Sequence, residues 1–163
     1  MAKRHPVPRL VLLTDARNDA ALERAIARLP RGSALVFRHY HLAADERGVR
    51  REQLRRACRA CGITMVEAGA GYGPATALRS SGLRLSTAHS LREIGRARGR
   101  ADAVLLSPVF TTRSHPGGKA LGTLRFLLMA RQSALPVLAL GGMTRARAAR
   151  LPVHGWAAID GLS

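Results

Sequence analysis

The stretch ADAVLLSPVFTTRSHPGG, residues 101–118, sets an apolar run directly against a row of polar side chains closed by Pro-Gly-Gly. ADAVLLS does not alternate between apolar and polar, which suits a strand buried on both faces in a parallel sheet covered by helices. A plain turn needs Gly, Pro or Asn to set its backbone. It does not need two threonines, an arginine, a serine and a histidine in a row. The stretch therefore predicts a buried parallel strand that holds out a ligand-facing loop at its C-terminal end.

The same pattern recurs along the chain in RLVLLTD, SALVFRHYH, GITMVEAG, GLRLSTAH, LPVLALGG and GWAAIDG. Helical stretches separate most of these runs. Leu22, Ala25, Ile26 and Leu29 form one stripe, ended by Pro30 and Gly32; Ser90-Leu91-Arg92-Glu93 is a capping box; Thr123 and Thr144 stand where N-caps belong. Alternating strands and helices with short connections predict a parallel α/β fold. No G-x-G-x-x-G follows the first strand, so the dinucleotide fingerprint is missing. Nearly every strand ends in a chemically useful residue: Asp15, Arg38, Glu67, His89, Ser107, Gly141, Asp160. A (β/α)8 TIM barrel gathers all those ends on one face, whereas a doubly wound sheet uses only those at its switch point.

The expectation is thus a single, shortened TIM-barrel domain spanning residues 1–163. Seven strands can be counted where a barrel has eight, and the length falls below the ~200 residues at the low end of that fold. The deficit centres on residues 69–86, where a strand-helix pair is abbreviated to one weak helical stretch, GPATALRSS. The sequence also leaves no room for a helix after the last strand. A missing strand exposes two sheet edges, which are usually paired, covered or charged, so a homodimer shielding the gap is expected.

The formal charge is +17, and all the basic residues but Lys3 and Lys119 are arginines. They are spread over every predicted helix, and aromatics make up only 4% of the chain, which gives no stacking platform for single strands. The charge reads as a solvated surface that attracts anionic small molecules rather than as a nucleic-acid groove. No apolar run approaches the ~18 residues of a membrane span, and the N-terminus is not a secretory signal; a cytoplasmic protein is expected. Cys58 and Cys61 form a C-x-x-C pair, but they share an apolar helical face with Leu54 and Ala57 near a helix C-terminus. That end disfavours thiolates, so both read as small core residues. His39 and His41 form a His-x-His pair at a strand end, with no third metal ligand evident in the sequence.

Read together, Ala101-Asp102, Pro108-Val109-Phe110, Thr112 and the run Pro136 to Gly142 resemble the thiamine phosphate synthase and thiazole tautomerase family. The opening LLTD and the TAHS of the fifth strand fit as well, so the resemblance spans residues 9–162. It implies a (β/α)8 barrel acting in thiamine biosynthesis on a thiazole phosphate or thiamine phosphate. By that resemblance the substrate- and phosphate-binding residues are Arg38, Thr87, Thr112, Ser114, His115, Gly141 and Gly142. Ser114 and His115 replace a Thr and a Lys of the family's sixth-strand motif. Gly141-Gly142, with the helix starting near Thr144, corresponds to the grip on the thiazole phosphate.

Departures from the synthase pattern are concentrated in the early strands. Val36 and Tyr40 replace the Gln and Lys that flank Arg38 in the family. Ala68-Gly69 stands where an Asn-Asp pair supplies a magnesium ligand, and the second such Asp has no counterpart. Glu67 is the nearest acid, but alternation turns it to the other face of its strand. The resemblance to the tautomerase branch instead makes His89 the acid–base group, needing no cofactor, because tautomerisation only moves a proton. The sequence thus supports metal-independent tautomerisation. The alternatives are a synthase using Mg²⁺, which joins a pyrimidine diphosphate to the thiazole phosphate, and a non-catalytic barrel remnant that binds phosphorylated metabolites or RNA.

Overall fold

A computed structural model describes residues 5–114, 116–160 and 162. Its strands are β1 (Leu10–Leu13), β2 (Ala34–Phe37), β3 (Thr64–Glu67), β4 (Tyr72–Pro74), β5 (Leu85–Ala88), β6 (Ala103–Leu106), β7 (Val137–Ala139) and β8 (Gly155–Ala158). The helices are α1 (Leu22–Arg28), α2 (Ala44–Cys61), α3 (Leu91–Ala97), α4 (Gly122–Ala130) and α5 (Arg145–Ala148). All strand pairings are parallel, in the order β3-β2-β1-β8-β7-β6-β5-β4. This is the TIM-barrel architecture, and β1 pairs with β8 as a barrel requires.

The expected count of seven strands is corrected to eight. The strand hidden in the abbreviated region is Tyr72-Gly73-Pro74, paired with β5 through Tyr72↔Leu85 and Pro74↔Thr87. Three residues leave no readable periodicity, and Gly and Pro are poor strand formers. The helix expected after it is only a 3₁₀ turn, Ala75–Ala77. The barrel is nearly closed: between β3 and β4 there is one isolated bridge, Ala68↔Tyr72, rather than a ladder. Here the Gly69 N–H donates to the Tyr72 carbonyl at 2.8 Å, and Gly69 takes φ +84°.

Alternate residues of each strand serve two cores, and this explains why the strands read as continuous apolar runs. Val11, Leu13, Ala34, Val36, Leu85, Ala103, Leu105, Leu138 and Ala157 fill one cluster, the barrel interior. Leu12, Leu35 and Phe37 face the other way, onto Leu22 and Ile26 of α1 and Leu54 and Cys58 of α2. Val104, Leu106 and Ala139 meet Ile94 of α3 and Phe126 of α4 in the same manner. Asp102 stabilises the start of β5, accepting the Arg84 N–H at 2.9 Å.

Most local signals act as expected. Ser90 caps α3 by accepting the Glu93 N–H, and Thr144 caps α5 by accepting that of Arg147. Gly62 ends α2 in the left-handed region at φ +68°, where a side chain would be strained. Thr123 is not an N-cap: α4 begins one residue earlier, with no side-chain cap. Burial pushes the Cys58 thiol up to about 12, in keeping with a core residue, and Cys61 is partly buried beside it.

Candidate functional site

The loop after β6 is the hub of the barrel mouth. It begins at Ser107, whose backbone carbonyl lies 3.0 Å from Nδ1 of His89 at the end of β5. A carbonyl only accepts, so Nδ1 carries the proton and Nε2 is left with the lone pair. The Ser107 hydroxyl lies 3.2 Å from the same nitrogen. On its other side the His89 backbone N–H donates to the Glu93 carboxylate at 2.5 Å. The imidazole is thus exposed at the mouth while its backbone is tied to α3 and its ring to β6.

Further along, the same loop packs on the two glycines after β7. The Val109 N–H donates to Leu140, and that of Phe110 to Gly141 at 3.1 Å. Gly141 and Gly142 have φ +103° and +60°. A Cβ on Gly141 would stand 2.7 Å from the Pro108 Cα, and one on Gly142 would stand 2.6 Å from the Thr111 carbonyl oxygen. These glycines are therefore required for the two loops to approach. The helix expected to add its positive end there, α5, is a single turn of 4 residues and carries little dipole. Arg147 supplies the positive charge instead. Its guanidinium donates to the Gly142 carbonyl and lies 4.5 Å over the Phe110 ring.

The third part of the mouth is organised by Arg17, which the sequence reading missed. Its guanidinium reaches Asp15 at 2.9 Å, Asp160 at 3.2 Å and the Ser114 hydroxyl at 2.8 Å. It thereby ties the β1, β8 and β6 loops together. Arg38 approaches Asp15 at 3.6 Å and donates from Nε to the Thr14 carbonyl. Burial pushes the Asp15 carboxyl up, but hydrogen bonds from Arg17 and the charges of Arg17 and Arg38 outweigh it and hold Asp15 below its ordinary value.

Of the residues expected from sequence, His89, Ser114, Gly141 and Gly142 all meet the β6 loop or form part of it, and Arg38 joins through Asp15 and Arg17. Thr112 is half-buried in that loop, and Thr87 is half-buried between Pro74 and Leu105 in register. His115 lies outside the described residues.

Past β3 the chain carries Ala68 and Gly69, and Glu67 is turned outward to Arg51 and Arg55 of α2, at 3.5 and 3.4 Å. Magnesium takes carboxylate oxygens as protein ligands, so Ala68 and Gly69 past β3 do not fit that ion. A cleft of about 330 Å³ opens nearby between β2 and α2, lined by Arg38, His39, Tyr40, Arg47, Arg51 and Glu67 among others. The His-x-His pair, for which the sequence offers no third ligand, has one in space. Asp19 brings a carboxylate oxygen within 4.8 Å of ring nitrogens of both His39 and His41.

A family model described as thiamine monophosphate synthase matches residues 78–162, a little over half of the chain. Among solved structures, the fold is similar to thiamine phosphate pyrophosphorylase from Pyrococcus furiosus, with a TM-score of 0.75 and 20% identity over 93% of this chain and 85% of that one. No curated protein matches the sequence significantly.

Proposed function

Because the chain belongs to the thiamine monophosphate synthase family, we propose that it binds a thiazole phosphate at the barrel mouth and isomerises the thiazole with His89 as acid and base. The observation that carries this reading is the Nδ1 contact to the Ser107 carbonyl. It fixes the tautomer and leaves Nε2 as the basic nitrogen at an exposed strand end. In the reaction Nε2 takes a proton from one carbon, the C–H electron pair moves into the ring π-system, and the proton returns at a second carbon. Atoms and charge balance with no co-reactant. An imidazole can both accept and donate a proton, so one side chain serves in both directions. In this reading the phosphate is gripped by Gly141-Gly142 and Arg147, together with Ser114, Thr112 and Arg17. Thiazole phosphate or thiamine phosphate is the ligand class.

A second reading, magnesium-dependent joining of a pyrimidine diphosphate to the thiazole phosphate, is favoured by one feature. The cleft beside Arg38 is rich in arginines, and Arg47 Nε is buried there with no hydrogen-bond partner in the described structure, as suits an anion. Against it stand Ala68-Gly69 and the outward-facing Glu67.

One experiment separates the two. Purified protein is given the pyrimidine diphosphate, the carboxylated thiazole phosphate tautomer and Mg²⁺. We expect little thiamine phosphate. Interconversion of the thiazole tautomers should persist in EDTA and fall by about two or more orders of magnitude in His89→Ala, as for loss of a general acid/base. Efficient Mg²⁺-dependent formation of thiamine phosphate would replace this reading with the second. Silence in both assays would leave a phosphate-binding barrel without catalysis.

A further inference from the structure

Outside the mouth network, we infer a transition-metal site formed by Asp19, His39 and His41, suited to Zn²⁺ or a similar first-row divalent ion. Asp19 comes from the 3₁₀ turn after β1, and the two histidines lie just past β2. His39 Nε2 stands 3.0 Å from Asp19 Oδ1. Two donors that share an ion at about 2.0–2.2 Å stand about 3.0–3.5 Å apart at octahedral to tetrahedral angles, so this separation already suits chelation. His41 is exposed, and its ring centroid lies 5.0 Å from that of His39. A side-chain rotation at the surface closes the remaining gap without disturbing the core. Two imidazoles and a carboxylate match zinc, copper, nickel or iron rather than magnesium or calcium.

The surroundings supply the second shell that such sites use. Nδ1 of the fully buried His39 lies 2.9 Å from the Thr14 hydroxyl, which also accepts the Arg38 N–H at 2.8 Å. With the proton on Nδ1 and donated to Thr14, Nε2 is oriented as a ligand. Phe37 stacks on the His39 ring at 4.6 Å and fixes its plane. Arg50 donates to Asp19 Oδ1 at 2.7 Å, and its charge is matched by Glu23, whose Oε2 lies 3.1 Å away. Asp19, Glu23 and Arg50 together leave one net negative charge for the cation. The site needs no residue of the His89 mechanism, and its readout does not depend on activity.

The test uses full-length protein without an affinity tag, stripped with EDTA and desalted. ZnCl₂ is titrated by calorimetry, and CoCl₂ is followed by visible absorption. We expect one saturable ion per chain, a melting temperature raised by Zn²⁺ through mass action, and cobalt ligand-field bands with no sulfur-to-cobalt band. His41→Ala, at an exposed position, should keep the parent's far-ultraviolet circular dichroism and weaken zinc binding by at least about tenfold. Asp19→Asn should weaken it likewise, while Cys61→Ser leaves it unchanged. Unchanged affinity in folded His41→Ala, the absence of saturable binding, or a sulfur-to-cobalt band lost in Cys61→Ser would each overturn the assignment.

Discussion

Arg17 shows how much of the mouth rests on single residues whose partners are far apart in sequence. Its contacts reach Ser114 and Asp160, 97 and 143 residues away, so no local pattern could announce it. The place of His89 at the end of β5 was legible because it sits in a strand-end motif, TAHS; the contacts of Arg147 with Phe110 and Gly142 were not, because they join separate loops. The Arg17–Asp15–Arg38 links also make a pH prediction. Asp15 has its folded pKa depressed below the ordinary value near about 3.9, so its stabilising contribution is present above that value and is lost as pH falls through the folded one. Asp15→Asn should therefore lose less melting temperature than the parent between about pH 5 and about pH 3. An equal loss in the two proteins would show that Asp15 does not stabilise through this link.

The least legible element was β4, and the reason is physical. A strand of three residues containing Gly73 and Pro74 is held by its neighbours rather than by its own propensity. Elements with two buried faces, such as β6, and a cap, such as α3, were legible because their signals are local. A glycine within the seam carries the next prediction. A Cβ on Gly71 would lie 2.7 Å from Val66 Cγ1 and 3.0 Å from the Leu83 carbonyl oxygen. The carbonyl belongs to the backbone and cannot turn aside. Gly71→Ala should cost about 1–3 kcal/mol, as overpacking does, and lower the melting temperature by roughly 2–4 °C for each kcal/mol. Amide exchange should quicken first at residues 69–74, because a single bridge closes the barrel there. An unchanged melting temperature would mean that the seam yields more readily than its packing implies. The same geometry changes the choice of phosphate-site variant. Gly141→Asp would strike Pro108, whereas Arg147→Ala removes a charge without entering a packed space.

At the scale of the whole molecule, the eighth strand narrows the gap that a homodimer was expected to shield to the seam between β3 and β4, which share one isolated bridge, Ala68↔Tyr72, rather than a ladder. The architecture was legible because seven apolar runs ended in polar or glycine residues; the seam was not, because it depends on a single bridge. What remains is the charge of +17. With 27 Lys and Arg against 10 Asp and Glu, ion pairing cannot neutralise the basic groups, so a large uncompensated positive field surrounds the barrel. Self-repulsion of that kind destabilises the compact state and is screened by salt, with a Debye length of about 30 Å at 0.01 M and about 8 Å at 0.15 M. The melting temperature should therefore rise on going from low to physiological ionic strength. Association with RNA or heparin should weaken steeply over the same range, because it releases counterions. On the proposed function, thiazole phosphate would engage one local site through directed hydrogen bonds as well as charge, so its saturable binding should weaken far less. A thiazole phosphate affinity that collapses with salt as fast as that for RNA would assign the arginines, rather than the β6 loop and Gly141-Gly142, as the anion site.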